Sequence, residues 1–550
     1  MKSNIRFSKM LVFLLLVVLF GIIFWYGLRL ISIGGLLSWD EPVYLSNARS
    51  LLYESHHEET FRFPLLSMFI AGVWFFTGES IIVAQISMSI ISLLTLLVFF
   101  LLLKTLFSSG FALYGTFLFA LSSQFLLWFT RIYTDVLGMF FVISSLYFLV
   151  KVYETSRVLN RKSKKKVRGE FLQQRLVFYV SFSGALGALA FLTRLSTIIP
   201  VLLCAFFVLL SIKSVKLFFQ YGLGFFFTLL PFLIRDLFLR GNAFFFILAQ
   251  TQAILEYTTF QSPKLFFEFM FLEYSWGIYL SLFVMLFLVC FFIYGLVTYI
   301  KEQYFVLDKK NNPISQKGSQ RFKILSVCKV AFLRHKKTVS FAWVFSVLLI
   351  AQVLFYTLYV RLKFARYLLE LSPFIIFLIV FFFWSVLLSL KQIQTYVIAK
   401  RNVSRKKLRL QNLGLGVSFL CVLFFMILLP WSMGQHSYEH LRNFEVHQTC
   451  VSQGSVFESL EYLDNLVNPG DVIVSSIWVY NGYYNNVNAY SFWTYDFGYL
   501  ILKYGPSHIV LSSRAGFPYT KDYVPSDLLK ELRYFEDACG FDVTIYEVLY

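Results

Sequence analysis

The chain has 550 residues, of which 58% are hydrophobic and only 14% are charged, and its mean hydropathy is +0.68. A soluble protein of this composition would have to expose large apolar patches, so the composition excludes a soluble chain and indicates an integral membrane protein. The net charge of +19 does not require a nucleic-acid partner, because the basic residues are concentrated in blocks that membrane orientation already explains.

Apolar runs along the chain are long enough to cross a hydrocarbon core of about 30 Å. The first follows a short basic segment, but it is longer than a signal-peptide core and lacks a small-residue cleavage site, so we expect a retained helix. Together the runs predict a polytopic α-helical protein with about eleven transmembrane helices. The predicted spans are residues 10–30, 81–103, 110–129, 136–150, 177–193, 195–212, 217–234, 276–300, 338–360, 371–390 and 411–433.

Three basic blocks set the predicted orientation. Residues 151–175, 301–337 and 391–409 carry 26 of the 49 lysines and arginines, and alternating spans with a cytoplasmic N-terminus place all three blocks inside. After Trp431 the balance reverses, to 14 acidic residues against 6 basic ones. We therefore expect a multi-pass protein of the plasma membrane, with a membrane domain over residues 1–433 and an extracytoplasmic domain over residues 434–550.

The first outer loop, residues 31–80, contains the acidic pair Asp40 and Glu41 directly after the first span. Carboxylates beside a bilayer are costly unless they face water or a partner, which makes this pair a candidate for chemistry. Apolar spacing over residues 41–53 predicts an amphipathic surface helix, and residues 64–77 predict a second interfacial helix that Gly78 ends. Such helices would roof a cavity at the outer face.

The C-terminal tail is predicted to be a small α/β domain. A helical pattern covers residues 455–466, and β-branched runs predict strands at residues 472–475, 508–511 and 543–549. Strands that alternate with helices favour a small sheet with helices packed on it.

Cysteine and histidine spacing gives little evidence for a metal site. Cys450 and Cys539 bracket the tail, where oxidising conditions permit a disulfide, but the sequence leaves open whether they come within bridging distance. We expect His56 and His57, with the two glutamates after them, to form a solvated loop rather than a metal site. The chain contains no CxxC or HExxH motif.

Separated polar segments carry a resemblance to a known family. They are Asp-Glu-Pro-Val-Tyr at 40–44, Phe-Arg-Phe-Pro-Leu-Leu at 61–66, Arg-Ile-Tyr-Thr-Asp at 131–135, Leu-Thr-Arg at 192–194 and Lys-Phe-Ala-Arg-Tyr-Leu-Leu at 363–369. Their order and spacing resemble those of the polyprenyl-phosphate-sugar-dependent glycosyltransferases of the GT-C fold, in the protein O-mannosyltransferase and aminoarabinose-transferase branch. The resemblance covers roughly residues 1–430.

The resemblance implies transfer of a hexose or pentose from a dolichyl or undecaprenyl phosphate to an extracytoplasmic protein, lipid or glycan, with inversion in a single displacement. Such chemistry needs a base for the acceptor and cations for the departing phosphate. We assign Asp40 as the base, with Glu41 orienting the acceptor or holding a neighbouring cation. The candidates for the donor phosphate are Arg366, Arg194, Arg62, Tyr367 and Lys363. The candidates for positioning the loop or the donor are Asp135, Arg131 and Tyr44.

Two departures from the family bear on a metal. Phe63 replaces a usual proline, and Phe61 stands where the aminoarabinose branch has an acidic residue. The resemblance therefore requires no cofactor, although a divalent cation is compatible with it.

Other interpretations of the same residues stay open. Asp40 and Glu41 could cap the surface helix, Arg366 and its basic neighbours could snorkel at a span end, and Arg194 and Asp135 could form a structural pair. Among the many aromatic residues, Trp39 and Trp74 are the candidates for stacking on a sugar. The alternative functions are a lipid flippase or transporter and a non-catalytic scaffold. An oligosaccharyltransferase would be expected to carry Trp-Trp-Asp in its soluble part and Asp-x-Asp in the first loop, and the sequence has neither.

Overall fold

A computed structural model describes most of the chain. The described residues are 2–33, 40–53, 62–162, 166–212, 214–256, 336–359, 365–399, 419–420, 422–439, 441–442, 454–491, 497–513, 525, 527–537 and 541–549. The predicted span at 276–300, Lys363, Trp39, the His56–His57 pair and both Cys450 and Cys539 lie outside these residues.

The membrane domain is a helical bundle. Within the described part of the chain, seven helices are long and apolar enough to cross a membrane, and they coincide with seven of the predicted spans. In the described residues up to 256, its α-helices are α1 Lys2–Ile33, α2 Glu41–Ser50, α3 Leu65–Thr77, α4 Ile81–Leu106, α5 Ser109–Ala120, α6 Ser123–Trp128, α7 Thr134–Lys162, α8 Lys166–Thr193, α9 Ile198–Ile212, α10 Val215–Arg240 and α11 Phe245–Glu256. The helices Lys336–Leu354 and Leu368–Ala399 follow, and residues 422–439 are also helical.

The single span predicted over residues 110–129 is wrong, because the structure has two short helices there, α5 and α6. The chain leaves the helical conformation at Ser122, whose φ and ψ are −67° and 134°. The Ser122 hydroxyl accepts a hydrogen bond from the Phe125 amide at 3.2 Å and so caps a new helix.

Helices α2 and α3 confirm the two helices predicted in the first loop, and α3 ends at Gly78, whose φ is +78°. Most residues of α2 are buried against protein. The C-terminal domain packs on α2 through its helix Trp478–Tyr484, and Val43 of α2 belongs to the apolar core of that domain. The hydrophobic face of α2, whose spacing predicted a membrane-surface helix, is therefore covered by protein.

The C-terminal domain contains a five-stranded sheet in the order β2-β1-β3-β5-β4. Its strands are β1 Val472–Ser475, β2 Asn488–Ser491, β3 His508–Ser512, β4 Leu529–Glu536 and β5 Asp542–Val548. Strand β1 pairs in parallel with β2 and β3, whereas β5 pairs antiparallel with β3 and β4. Helices Ser455–Asp464, Trp478–Tyr484 and Phe497–Tyr504 complete the domain.

The three predicted strands are confirmed, and the sequence analysis missed β2 and β4. Strand β2 has only four residues, Asn-Ala-Tyr-Ser. Strand β4 lies at the sheet edge and is mostly exposed, with charged residues at four of its eight positions. Neither strand has the β-branched run that marked the other three.

Helices α8 and α10 pack in direct backbone contact. A Cβ atom added at Gly184 would clash with the carbonyl oxygen of Tyr221, and one added at Gly224 would clash with the carbonyl oxygen of Ser181. Small residues permit this close approach between membrane helices. The contact fixes the position of α10 relative to α8.

Candidate active site

Charged residues from separated segments meet at the end of the bundle that the C-terminal domain covers. Local structure places each of them at a helix terminus: Asp40 precedes α2, Arg62 precedes α3, Arg131 and Asp135 flank the start of α7, Arg194 follows α8, and Arg366 precedes the helix Leu368–Ala399. Pro42 favours the first turn of α2, because proline cannot donate an amide hydrogen bond there and none is needed. Helix termini thus bring together residues that are far apart in the sequence.

Asp40 is the centre of the first cluster. Its Oδ1 accepts a hydrogen bond from Arg62 Nη2 at 2.8 Å, and its Oδ2 accepts one from Arg366 Nη1 at 2.8 Å. Burial by itself would raise the pKa of this carboxyl, but the two guanidinium groups outweigh it and lower the pKa to about 2. Asp40 is therefore an anion held between two cations.

This geometry decides two of the alternative interpretations. Asp40 occupies the N-cap position of α2, but its side chain makes no capping hydrogen bond, so the capping interpretation is wrong for this residue. The Arg366 guanidinium bonds a buried carboxylate, so it is not a simple snorkelling anchor.

Glu41 is fully buried and ties α2 to the segment before α7. Its Oε2 accepts a hydrogen bond from Arg131 Nη1 at 3.1 Å, and its Oε1 accepts one from the Ile132 amide at 2.8 Å. Of the two roles considered for Glu41, the geometry matches that of holding a neighbouring cation. This contact joins Arg131, which was predicted to position the loop or the donor, to the first residue of α2.

Arg194 is the centre of a second cluster. It forms an ion pair with Asp135, and its Nε lies 3.0 Å from Oε1 of Glu370. Glu370 also accepts hydrogen bonds from Ser196 and Tyr356. The geometry matches the structural pairing of Arg194 and Asp135 that the sequence left open. Asp135 Oδ2 is buried and has no hydrogen-bond partner among the described residues.

Tyrosine rings lie beside the guanidinium groups of both clusters. The Arg366 guanidinium carbon lies 4.9 Å from the centre of the Tyr133 ring, and that of Arg194 lies 4.9 Å from the centre of the Tyr367 ring. Arg62 lies 5.8 Å from the Tyr44 ring in the same way. These distances are typical of cation–π contacts, which stabilise the charged form of arginine without neutralising it. Burial raises the pKa of the Tyr44 and Tyr133 hydroxyls, so both stay protonated at neutral pH.

Sequence analysis missed Glu370 and Tyr133 as site residues. Glu370 is an acidic residue in the first turn of a long apolar helix, and an ionisable residue inside a membrane segment is a functional candidate by that position alone. Tyr133 falls within the quoted segment 131–135, but nothing in the spacing distinguished its ring from other aromatic residues. Its hydroxyl lies 3.4 Å from the Asp40 amide nitrogen, which donates to it.

Trp74 does not serve as a sugar-stacking surface. Its side chain is fully buried in the bundle core, and its Nε1 donates a hydrogen bond to the carbonyl oxygen of Ser80 at 2.9 Å. That bond satisfies the indole polar group within the protein. The stacking interpretation is therefore wrong for Trp74.

The carboxylates of the site do not present an open set of metal ligands. Asp40, Glu41, Asp135 and Glu370 each contact an arginine, and the described residues contain no group of three His, Cys, Asp or Glu side chains arranged for a metal ion. The positive charges in contact with these four carboxylates are the guanidinium groups of arginines.

Comparison with known proteins places the fold. No protein-family model and no curated protein matches the sequence. ArnT from Cupriavidus metallidurans in the apo state superposes with a TM-score of 0.54 at 13% identity, over 98% of each chain. The same protein bound to undecaprenyl phosphate gives 0.54 at 11% identity, over 97% of each chain. The archaeal oligosaccharyltransferase AglB from Archaeoglobus fulgidus, in complex with an inhibitory peptide and a dolichol-phosphate, gives 0.51 at 12% identity, over 92% of this chain and 70% of that one.

The chain is thus a multi-pass membrane protein with the GT-C fold. The fold class predicted from the sequence, a polytopic helical membrane domain followed by a small C-terminal α/β domain, is confirmed, although eleven spans are not. At identities of 11–13% the similarity establishes this architecture.

Proposed function

We propose that this chain is a membrane glycosyltransferase that moves a sugar from a polyprenyl phosphate to an extracytoplasmic acceptor. The observation that carries the proposal is the buried Asp40 carboxylate held by Arg62 and Arg366, in a GT-C fold. Structures with this fold include ArnT bound to undecaprenyl phosphate and AglB bound to a dolichol-phosphate. A base and a pair of cations within one ion-pair network are the groups that transfer from a lipid phosphate needs.

Arg62 and Arg366 bind the donor phosphate in this proposal. Each already donates a hydrogen bond to one oxygen of a carboxylate, and a phosphate offers oxygens of the same kind with more charge. Negative charge grows on the phosphate as the sugar leaves, so cations fixed beside it stabilise the transition state more than the ground state. Arg194 is held between two carboxylates, Asp135 and Glu370, and is less available to a phosphate.

Asp40 is the general base that accepts the proton of the acceptor hydroxyl. With both arginines bound to it, its pKa of about 2 makes it a poor base. When the arginines turn towards the donor phosphate, burial is the influence that remains on Asp40, and burial raises the pKa of a carboxyl. Donor binding therefore converts Asp40 from an ion-pair partner into a base.

Asp135, Tyr367 and Lys363 complete the donor site. The buried Oδ2 of Asp135, which lacks a hydrogen-bond partner among the described residues, is placed to accept a hydrogen bond from a sugar hydroxyl. The Tyr367 ring contacts the Arg194 guanidinium and holds it in position. Lys363 is three residues before Arg366 in the sequence and adds a further cation to the phosphate site. Single displacement with inversion at the anomeric carbon is what the resemblance to the GT-C glycosyltransferases implies for this reaction.

The proposed orientation puts the site outside the cytoplasm of a cell with its N-terminus inside. Asp135 begins α7 and Lys151 lies sixteen residues further along the same helix, which corresponds to about 24 Å at 1.5 Å per residue. The candidate site and the first basic block are thus near opposite ends of one helix. By the positive-inside rule, this separation supports a cytoplasmic basic end and an extracytoplasmic site.

The transferred group in this proposal is a hexose or pentose, and the reaction needs no cofactor because arginines supply the positive charge. The test compares glycans and glycolipids by mass spectrometry in cells that express the wild-type chain or Asp40→Asn at equal membrane levels. We expect a product that carries one additional sugar only with the wild type. The absence of that product from cells with the wild-type chain would refute the function, whereas its presence in both cells would remove Asp40 from the mechanism.

A further inference from the structure

A second polar cleft lies next to the candidate site, between α2, α3 and the end of α10. It encloses about 460 Å³, including space open to solvent. Arg62, Arg235 and Arg240 line it, and Phe245 and Phe246 form part of its apolar wall. Arg62 is already paired with Asp40, so Arg235 and Arg240 supply the positive charge that favours an anionic ligand in the cleft.

The acidic residue in the cleft wall is already used within the protein. Asp236 is 4% exposed, and its Oδ2 accepts a hydrogen bond from the Phe246 amide at 3.1 Å. Arg235, one turn from the end of α10, makes no hydrogen bond or ion pair with the described residues. The cations of the cleft therefore outnumber the carboxylates among its described lining residues.

Ser67 provides an independent indication of a ligand. Its side chain is 3% exposed and lines the cleft, and its Oγ has no hydrogen-bond partner among the described residues. Ser87 and Ser92 donate to the carbonyl four residues earlier, whereas Ser67 is the third residue of α3 and the carbonyl four residues earlier, that of Phe63, lies before the helix. A buried hydroxyl without a partner costs free energy unless a bound group or water satisfies it.

Arg62 joins the cleft to the candidate base. Its guanidinium lines the cleft, and its Nη2 lies 2.8 Å from Asp40 Oδ1. A ligand in the cleft is thus separated from the proposed base by a single guanidinium group. This is the position that an acceptor substrate must reach if Asp40 accepts its proton.

We propose that the cleft is the acceptor subsite and that it binds a phosphate group carried by the acceptor glycan or glycolipid. The inference rests on the proposed glycosyltransferase function and specifies its acceptor class. Arg235 and Arg240 bind the phosphate, Ser67 donates a hydrogen bond to it, and the adjacent sugar hydroxyl faces Asp40. The donor phosphate is bound separately, between Arg62 and Arg366.

Binding measurements on the full-length protein in phosphatidylcholine nanodiscs test this inference without turnover. The probes are glucose 1-phosphate, glucose and undecaprenyl phosphate. We expect the wild type to bind glucose 1-phosphate at least about tenfold more tightly than glucose, because charge-assisted hydrogen bonds add to the sugar contacts. The double variant Arg235→Gln/Arg240→Gln should lose that preference and bind undecaprenyl phosphate within about twofold of the wild type.

Two further variants control the experiment. Lys216→Gln removes an exposed charge at the opposite end of α10 and should bind both phosphates like the wild type. Ser67→Ala, a small change that keeps the helix, should weaken glucose 1-phosphate about threefold through the lost hydrogen bond. Unchanged thermal melting of each variant shows that the fold is intact.

The outcomes separate this inference from the proposed function. Equal binding of glucose and glucose 1-phosphate by the wild type would overturn the acceptor subsite and leave sugar transfer by Asp40 untouched. Weaker undecaprenyl phosphate binding by the double variant, with glucose 1-phosphate binding retained, would also overturn it and would assign the cleft to the donor. If cells with the wild-type chain form no product that carries an additional sugar, the proposed function fails, whatever the cleft binds.

Discussion

Arg366 and Asp40 are 326 residues apart in the sequence, yet Nη1 of the arginine lies 2.8 Å from Oδ2 of the aspartate. Arg62 makes the equivalent contact to the other oxygen of the same carboxylate. In the proposed mechanism, the donor phosphate competes with the Asp40 carboxylate for these two arginines.

Replacing Asp40 with asparagine should abolish sugar transfer. Asparagine keeps the size of the side chain but cannot accept a proton, and loss of a general base typically lowers the rate about 10²- to 10⁴-fold. The measurement is the initial rate of transfer from a polyprenyl-phosphate sugar by purified protein. Asp527→Asn, an exposed change in the C-terminal domain, is the control and should retain full activity. A rate for Asp40→Asn equal to that of the control would remove Asp40 from the mechanism.

The pH dependence should differ between the free and the donor-bound protein. The pKa of Asp40 is lowered from 3.8 to about 2, so its ion pairs stabilise the fold above about pH 4, and that contribution is lost as the pH falls through 2. In kcat/KM for the donor, which reports the free protein, we expect no acidic limb from Asp40 above about pH 4. In the pH profile of kcat at saturating donor, we expect the rate to fall at a higher pH. The arginines are then bound to the phosphate and no longer lower the pKa of Asp40. Superimposable pH profiles of kcat/KM and kcat would contradict the proposed movement of the arginines from Asp40 to the phosphate.

Replacing Arg366 with alanine should affect use of the donor more than use of the acceptor. The variant loses a charge-assisted hydrogen bond to the phosphate, which corresponds to an increase of about 10- to 100-fold in the donor KM. The acceptor KM should change less than about threefold, and Arg366→Lys should recover part of the donor affinity because it keeps the charge but not the planar fork. Equal increases in both KM values would indicate that Arg366 is a structural anchor.

Replacing Arg49 with alanine should loosen the C-terminal domain from α2. Arg49 Nε donates hydrogen bonds to the Glu79 carboxylate at 3.0 and 3.1 Å, and its Nη1 donates one to the carbonyl oxygen of Tyr483 at 2.8 Å. Because α2 begins next to Asp40, we expect kcat to fall about tenfold and limited proteolysis to release the C-terminal domain faster. Lys503→Ala, on an exposed part of that domain, is the matched control. Unchanged proteolysis of Arg49→Ala would mean that other contacts hold the domain.

Much of the fold could be predicted from the sequence, because apolar length and charge placement follow directly from the membrane as a solvent. Seven long helices, both helices of the first loop and three strands were predicted in this way. The break at Ser122 was missed because the polar residues Ser122, Ser123 and Gln124 were included in one apolar span, although serine is a favoured N-cap residue. Strand β4 was missed because its exposed charged residues are equally compatible with a surface helix.

The residues of the site were easier to predict than their contacts. The chemistry of lipid-phosphate transfer directed attention to Asp40, Arg62 and Arg366, but periodicity carries no information about which distant side chains meet. Sequence reasoning therefore treated Arg194 as equivalent to Arg366. In the structure Arg194 lies between two carboxylates, and one of them, Glu370, had not been selected.

The glycine contact between α8 and α10 has a mechanical consequence. Arg194 directly follows α8, and Arg235 and Arg240 belong to the last turns of α10, so a rigid backbone seam connects the wall behind Asp135 with the arginines of the second cleft. Any movement that separates α8 from α10 would have to break this backbone contact.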